Sequence, residues 1–374
     1  MIYFDYAATC PIDREAGEAL IKASQEYYGN SNSLHNIGSK ASQLLENCRE
    51  AMSSFLHVKS DGIYFTSGGS ESNFLAIHSL LTAAKKAGKH IITGMAEHSS
   101  IHSTMKILES NGYSVTYLPF NDNGLIDISK LKQAIREDTI MLSIQHGNSE
   151  IGSIQPLEEI GIICKEKQIL FHSDCVHTFG KIQYHEVANY VHAMSVSGHK
   201  FYGPKGIGAV YIDPALGWKA FFPESSHEKG FRPGTVNVPA IASMITAAQK
   251  IQSCIGKNEN TYHLLREAFI NSLTPIKEDI VIYDARNKQM PSTVGLRIRG
   301  MEGQWIMLEC NRLGYAISTG SACQVGLQSP SKTMKALGLP DDQAKEFIRI
   351  SFGQETALEH VKQLGKTIVS IVQD

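Results

Sequence analysis

The sequence predicts an α/β protein: a mostly parallel seven-stranded sheet flanked by helices, with a smaller α+β unit towards the C-terminal end. Three observations lead there. From residue 60 to about 215, short apolar segments alternate with helix-like stretches, the pattern of a parallel, doubly wound sheet. Several of these segments are apolar throughout, as in a sheet covered on both faces. After about residue 255 the alternation gives way to a different mixture of strands and helices.

Seven strands are expected at "GIYFTS" (62–67), "HIITGM" (90–95), "SVTYLPF" (114–120), "TIMLSIQ" (139–145), "ILFHSD" (169–174), "AMSVSG" (193–198) and "GAVYID" (208–213). Between the first two, "ESNFLAIHSLL" sets Phe74, Ile77 and Leu81 on one helical face. "DISKLKQAIRED" opens on a capping Asp–Ile–Ser before its own periodic run. In the C-terminal part, "DIVIYDA" (279–285), "STVGLRIRG" (292–300), "YAIST" (315–319) and "FIRISFG" (347–353) read as strands, and 302–313 and 357–373 as helices.

Composition narrows the classes. A chain of 374 residues exceeds what one compact core usually holds, so two domains are expected. A formal net charge of −2 gives no electrostatic reason to expect direct binding to nucleic acid or to an anionic membrane. No apolar run approaches a membrane span, and "MIYFDYAATCPID" lacks the basic region of a signal peptide. The seven cysteines are dispersed without a C-x-x-C pair, which points to reduced thiols and a cytoplasmic location.

Five stretches carry candidate chemistry. In "SVSGHKFYGPKGIG" (195–208), Lys200 follows a buried strand and precedes a glycine-rich segment containing Lys205. Most lysines are surface residues, but one at a strand end with a desolvated amine can form a Schiff base. In "LFHSDCVHTFG" (170–180), Asp174 ends a strand 26 residues before Lys200. A pyridoxal phosphate site needs such a carboxylate to keep the pyridine nitrogen protonated. The same stretch offers a metal alternative in His172, Asp174, Cys175 and His177. Strand periodicity puts Cys175 on the other side from His172 and Asp174, and no second cluster completes a ligand set. "TSGGSESN" (66–73) is a glycine turn at a helix N-terminus, suited to phosphate but without the nucleotide P-loop pattern. In "MAEHSSIH" (95–102), His98 is placed to stack on a flat ring and to carry a proton, although an isolated histidine is more often structural. Finally, "STGSACQVG" (318–326) sets Cys323 among small residues, where a thiol is either incidental or chemical.

Together these stretches resemble the pyridoxal-phosphate cysteine desulfurases of the NifS/IscS type, of the class V aminotransferase, fold-type I superfamily. The resemblance spans the chain, from "YFDYAAT" through "GNSNSLH", "FTSGGSESN", "EHSSIHS", "HGNSEIG", "HSDCVHTFGK", "SGHKFYGPKGIGA", "HEKGFRPGT" and "STGSACQVG" to "IRISFG". It implies a large cofactor domain at 15–255 and a small domain of 1–14 plus 256–374 carrying the cysteine loop. It implies pyridoxal 5'-phosphate held by Lys200 as the Schiff-base lysine, Asp174 at the pyridine nitrogen and His98 on the ring. Gly69, Ser70, Ser197 and His199 would hold the phosphate, and Thr235 would reach the phosphate of the other subunit of a homodimer. Arg349 would bind the substrate carboxylate with Asn148. Cys323 would accept the sulfur of L-cysteine, leaving L-alanine and a persulfide, and Gly320 and Gly326 would let its loop swing. The other six cysteines are expected as packing or surface thiols, with Cys310 in the core beside Ile306 and Leu313.

Three positions depart from the family wording. His177 stands where a glutamine is usual near the cofactor's phenolic oxygen, and an imidazole can also donate there. Asn148-Ser149 replaces Asn-Asn, which aligns the usual substrate contact with Ser149. The chain ends at "IVQD", about twenty residues after "SFG", without the longer tail that housekeeping members use to dock a scaffold. The acceptors implied are an iron–sulfur scaffold, a tRNA-thiolation enzyme or quinolinate synthase, with the wording closer to the branch serving NAD synthesis. The alternatives are a selenocysteine lyase or related lyase on the same cofactor, and a non-catalytic persulfide relay protein.

Overall fold

A computed structural model of the chain describes residues 1–183, 186–320 and 330–373. Its strands, in chain order, are β1 (Ile2–Tyr3), β2 (Ile63–Thr66), β3 (His90–Gly94), β4 (Ser114–Leu118), β5 (Thr139–Ser143), β6 (Leu170–Asp174), β7 (Ala193–Ser197), β8 (Gly208–Ile212), β9 (Ile280–Tyr283), β10 (Thr293–Ile298), β11 (Tyr315–Ala316) and β12 (Phe347–Ser351). The seven segments expected between 62 and 213 all form strands of one sheet, in the order β2-β8-β7-β6-β5-β3-β4. Every residue of β2, β3, β5, β7 and β8 is buried, which is why these segments carry no polar alternation. The edge strand β4 is only partly covered.

The sheet is mostly but not wholly parallel. β8 runs antiparallel to both β7 and β2. The ten residues 198–207 between β7 and β8 hold only a short 3-10 turn, too little chain for a helical crossover, so the strand returns beside its predecessor. Two reversals leave β2 parallel to β7. The C-terminal ends of β2, β3, β5, β6 and β7 therefore open on one edge of the sheet, where ligands of such sheets bind.

The helix Gly69–Ala83 buries a wider face than Phe74, Ile77 and Leu81 alone suggest. Ser72, Leu75, Ala76, Ser79, Leu80 and Ala83 are buried with Ile77, while Phe74 and Leu81 are half-buried. Leu75, Ile77 and Leu80 share the inner face with small residues, and Phe74 and Leu81 pack at the edge of the same core, Phe74 meeting Phe221 edge-on at 4.9 Å. The helix Ile128–Ala134 is capped as expected, Asp127 accepting from the amides of Ser129 and Lys130.

The C-terminal strands and helices also form where the sequence places them. β10 lies between β9 and β12 in an antiparallel sheet, and the helices Gly303–Arg312 and Leu358–Gln373 pack on it. Cys310 is fully buried in that core with Ile306, whereas Leu313 at the helix end is exposed. β11 is shortened to two residues and pairs in parallel with β1. The N-terminal segment thus joins the C-terminal core through Phe4, which is completely buried there. Among the described residues no helix is long and apolar enough to cross a membrane.

One contact at the sheet's functional edge gives a direct test of packing. A side-chain carbon at Gly208 would sit 2.7 Å from Val196 O and 2.8 Å from Gly68 Cα. Both obstacles are backbone. Gly208→Ala is expected to lower stability by about 1–3 kcal/mol in urea unfolding and to displace the turn at Gly68.

Candidate active site

Four strand ends build the site. β6 ends in Asp174, whose Oδ1 accepts from Val176 N at 3.0 Å and whose Oδ2 accepts from Asn73 Nδ2 at 2.7 Å. Asn73 also donates to Ser100 Oγ at 3.1 Å, and Ser100 Oγ lies 2.8 Å from His98 Nδ1. His98 follows β3 and is the N-cap of the helix Ser99–Ser110, its Nδ1 accepting from Ser100 N at 3.2 Å. That bond fixes the neutral tautomer with its proton on Nε2. Asp174 and His98, 76 positions apart in the chain, are thus joined through two side chains that sequence reasoning passed over. Asn73 stands one helical turn after Gly69, so helix periodicity from the glycine turn was the signal available for it.

β7 ends in Ser197 and leads into the 3-10 turn Gly198–Lys200. Lys200 Nζ donates to Ala7 O at 2.7 Å and Ala8 O at 2.8 Å. Burial, helped by the neighbouring cations Lys181 and Arg349, depresses its pKa to about 7. Lys200 is therefore an amine poised to lose its proton near neutral pH. His199, held by Thr9 Oγ1 at 3.1 Å, is pushed down to about 4 by burial and by Lys200 and Lys205.

β2 leads into Gly68, whose φ of +144° suits only glycine, and then into the helix Gly69–Ala83, whose first turn has no side-chain cap. Ser70 is exposed in that turn. A side-chain carbon at Gly69 would lie 3.4 Å from Ser197 Cβ, so the helix start and the end of β7 face each other closely.

A cavity at this edge is lined by His98, Asp174, His177 and Ser149 among the expected residues, and by Glu97 and Lys332 among others. The Nδ1 of His177 is buried without a hydrogen-bond partner among the described residues. Burial first, then Lys200, Lys181 and Arg349, hold its pKa well below the usual histidine value, so the ring is neutral. Glu97 is 3 % exposed; its Oε1 accepts from Gln145 N at 2.9 Å and its Oε2 has no partner among the described residues. Burial, with a further contribution from Asp174, raises its pKa well above the ordinary carboxylate value. Burial thus favours the neutral form of the Glu97 carboxyl group.

The metal alternative loses its first ligand to the core. His172 Nδ1 lies 2.9 Å from Ser143 Oγ and its Nε2 3.0 Å from Ser195 Oγ, so both ring nitrogens are occupied inside the sheet. Asn148 is likewise committed: its Oδ1 accepts from the amides of Glu150 and Ile151, both at 2.9 Å, and its Nδ2 donates to Thr333 at 3.0 Å. Its neighbour Ser149 is the residue that lines the cavity. Arg349, on β12, is 3 % exposed and reaches the carbonyl of Ser149 at 3.2 Å. Thr235 is exposed in the loop before the helix Val238–Ser253, away from the cavity lining. Cys323 lies outside the described residues.

A lysine with a depressed pKa just after one strand, a carboxylate ending the neighbouring strand and an uncapped glycine turn share one edge of an α/β sheet, the edge at which enzymes of this fold class act. The class-V aminotransferase family model matches residues 2–364, and the chain belongs to that family. A relative from Bacillus subtilis (strain 168) carrying the cysteine desulfurase NifS name is 46% identical over 98% of this chain and 93% of its own length. A cysteine desulfurase IscS from Dictyoglomus turgidum is 36% identical over 100% and 94%. Among solved structures, a NifS-like protein has the same fold with a TM-score of 0.91, 30% identity and coverage of 100% and 99%. A structure described as SspA in complex with cysteine has a TM-score of 0.81 at 29% identity, covering 94% and 99%. Within the family, the chain is an enzyme of the NifS/IscS cysteine desulfurase type.

Proposed function

We propose that this enzyme uses pyridoxal 5'-phosphate to take sulfur from L-cysteine, releasing L-alanine and leaving a persulfide on Cys323. The observation that carries the reading is the buried amine of Lys200, its pKa lowered to about 7, set one strand from the carboxylate of Asp174. The residues fit the cofactor: the buried, unpartnered Nδ1 of His177 is a group awaiting a polar partner, and Gly68–Gly69 form a cradle that a side chain would fill. In this reading Lys200 would hold the cofactor until the substrate amine takes its place, and Asp174 would pair with its pyridine nitrogen. His98 would cover the ring, and His177 would donate to its phenolic oxygen. Gly69, Ser70, Ser197 and His199 hold the phosphate, while Thr235, exposed on its loop, serves the second subunit of a homodimer. Residues 15–255 then form the cofactor domain, and 1–14 with 256–374 the domain that brings the thiol.

When bound, the cofactor supplies an electron sink for charge developing on the substrate Cα. Arg349 binds the substrate carboxylate beside Ser149, fixing which bond faces the ring. Asn148 acts behind it by holding the loop. Lys200 Nζ takes the Cα proton as a neutral amine, and His98, protonated at Nε2, is the second proton carrier. The Cys323 thiolate attacks the substrate Sγ; the new S–S bond forms as the Cβ–Sγ bond breaks, and the released electron pair ends as a C–H bond of alanine. The persulfide then passes to an acceptor protein in the cytoplasm, an iron–sulfur scaffold, a tRNA-thiolation enzyme or quinolinate synthase. The neighbour solved with cysteine supports the choice of substrate.

The test is alanine production from L-cysteine with a reductant, for wild type and Cys323→Ala side by side. Alanine from wild type alone supports the reading. Alanine from both keeps the lyase chemistry and removes Cys323 from it.

A further inference from the structure

The N-terminal segment is fastened along β12 at several points. Ser351 N donates to Phe4 O at 2.8 Å, Ala7 N donates to Ser351 Oγ at 2.9 Å, and Phe4 N donates to Ala316 O at 2.8 Å. Asp5, between these anchors, forms a bridge with Ser351. Ser351 and Arg349 are two residues apart and share a side of the strand. The carboxylate of Asp5 is thereby delivered to the guanidinium: Arg349 Nη2 donates to Asp5 Oδ1 at 2.6 Å. Arg349 Nη1 is taken by Ser149 O, and its Nε is buried with no partner among the described residues. The Asp5 side chain is 18% exposed and that of Arg349 4%, so the pair is shielded and its attraction is little screened. The other charged groups acting around Arg349 are Lys181, Lys200 and Glu150, and burial favours the neutral form of the last.

We propose that Asp5 is a built-in counter-ion that sets the affinity of the site for the α-carboxylate of its amino-acid substrate. The proposal rests on Arg349 being the receptor for that carboxylate. A buried guanidinium without a partner is costly, and Asp5 meets that demand in the unliganded protein. An arriving carboxylate then finds the positive charge already neutralised and a second negative charge close by. The free nitrogen Nε still offers it a donor, so binding is weakened rather than blocked. Asp5 is a positioning and affinity-setting residue, not a catalytic one, and its effect falls on KM more than on kcat.

Asp5→Asn keeps the shape and an acceptor for Nη2 while removing the charge. KM for L-cysteine and the inhibition constant of the product L-alanine are both expected to fall roughly three- to tenfold, by more than kcat changes. Thermal stability without ligand is expected to fall, and the rise in Tm on adding L-alanine to grow. Asp5→Glu, which retains the charge, should lie nearer wild type, and Asp5→Ser carries the same expectation as Asp5→Asn should the latter fold poorly. Arg349→Lys is measured in parallel. If it weakens L-cysteine and L-alanine while Asp5→Asn leaves them unchanged or weaker, the role of Asp5 is overturned alone. If Arg349→Lys changes neither ligand, the reading of Arg349 falls and Asp5 with it.

Discussion

Lys200→Arg is expected to reduce alanine formation at least about a thousandfold, the scale of a lost general base and nucleophile. Arginine keeps a cation of similar length but does not deprotonate in proteins. The effect depends on the wild-type amine being neutral near pH 7, which burial and the adjacent cations Lys181 and Arg349 secure. The same depression is visible in stability. An unfolded lysine titrates at about 10.4, so between pH 7 and about 10.4 the unfolded cofactor-free chain holds a proton that the folded chain has lost. Stability therefore rises with pH across that window, by up to about 1.4 kcal/mol per pH unit from this one group. Lys200→Met should lack this slope in unfolding measured at successive pH values. A variant with an unchanged slope would show that the amine is not the titrating group.

The second large effect lies away from the chemistry. Arg49 and Glu228 form a bidentate pair, Nη1–Oε2 at 2.9 Å and Nη2–Oε1 at 3.0 Å, with side chains 3% and 1% exposed. Arg49 also donates to Ile63 O at 2.7 Å, and Glu228 accepts from Phe65 N at 2.7 Å. The pair grips β2 at Ile63 and Phe65, in the strand that delivers the Gly68–Gly69 turn. Removing Glu228 leaves the buried Arg49 only the half-exposed Glu46, 3.2 Å from its Nε, as a carboxylate partner among the described residues, so Glu228→Ala is expected to cost about 3–5 kcal/mol. That is a large part of the roughly 5–15 kcal/mol by which proteins are typically stable. The expected readouts are a lowered unfolding midpoint and weaker retention of added pyridoxal phosphate. Glu228 and Lys229 have φ of +47° and +54°, so the pair also holds a strained turn at the start of the loop that carries Thr235.

The sheet was legible because its buried strands are continuous apolar runs bounded by turn residues, and each of the seven stands within three residues of its expected limits. Lys200, Asp174 and His98 were legible for a related reason: polar residues at the ends of such runs fall together at one edge of a parallel sheet. Residues whose partners are distant in sequence were not. Nothing local marks Asp5 as the partner of Arg349, 344 positions away, or Glu228 as that of Arg49, 179 away. On the helix Gly69–Ala83 the expected face of Phe74, Ile77 and Leu81 does meet the core, but the buried surface extends to Ser72, Leu75, Ala76, Ser79 and Leu80, because the helix is covered on more than one side. The antiparallel β8 follows from a loop length that was countable, but only the topology shows which neighbour it returns to.

The N-terminal residues also impose an order on biosynthesis. β1 pairs with β11, Asp5 with Arg349, and Ala7 and Ala8 accept from Lys200. A ribosome adding roughly 5–20 residues per second spends about 20–70 s between making Asp5 and making Arg349. Through that interval the first ten residues have no C-terminal strand to lie against. The sheet of β2 to β8 can fold meanwhile, but the edge where Lys200 sits is closed only after β12 emerges and residues 2–8 dock beside it. Competence of the nascent enzyme is in this way tied to synthesis through β12.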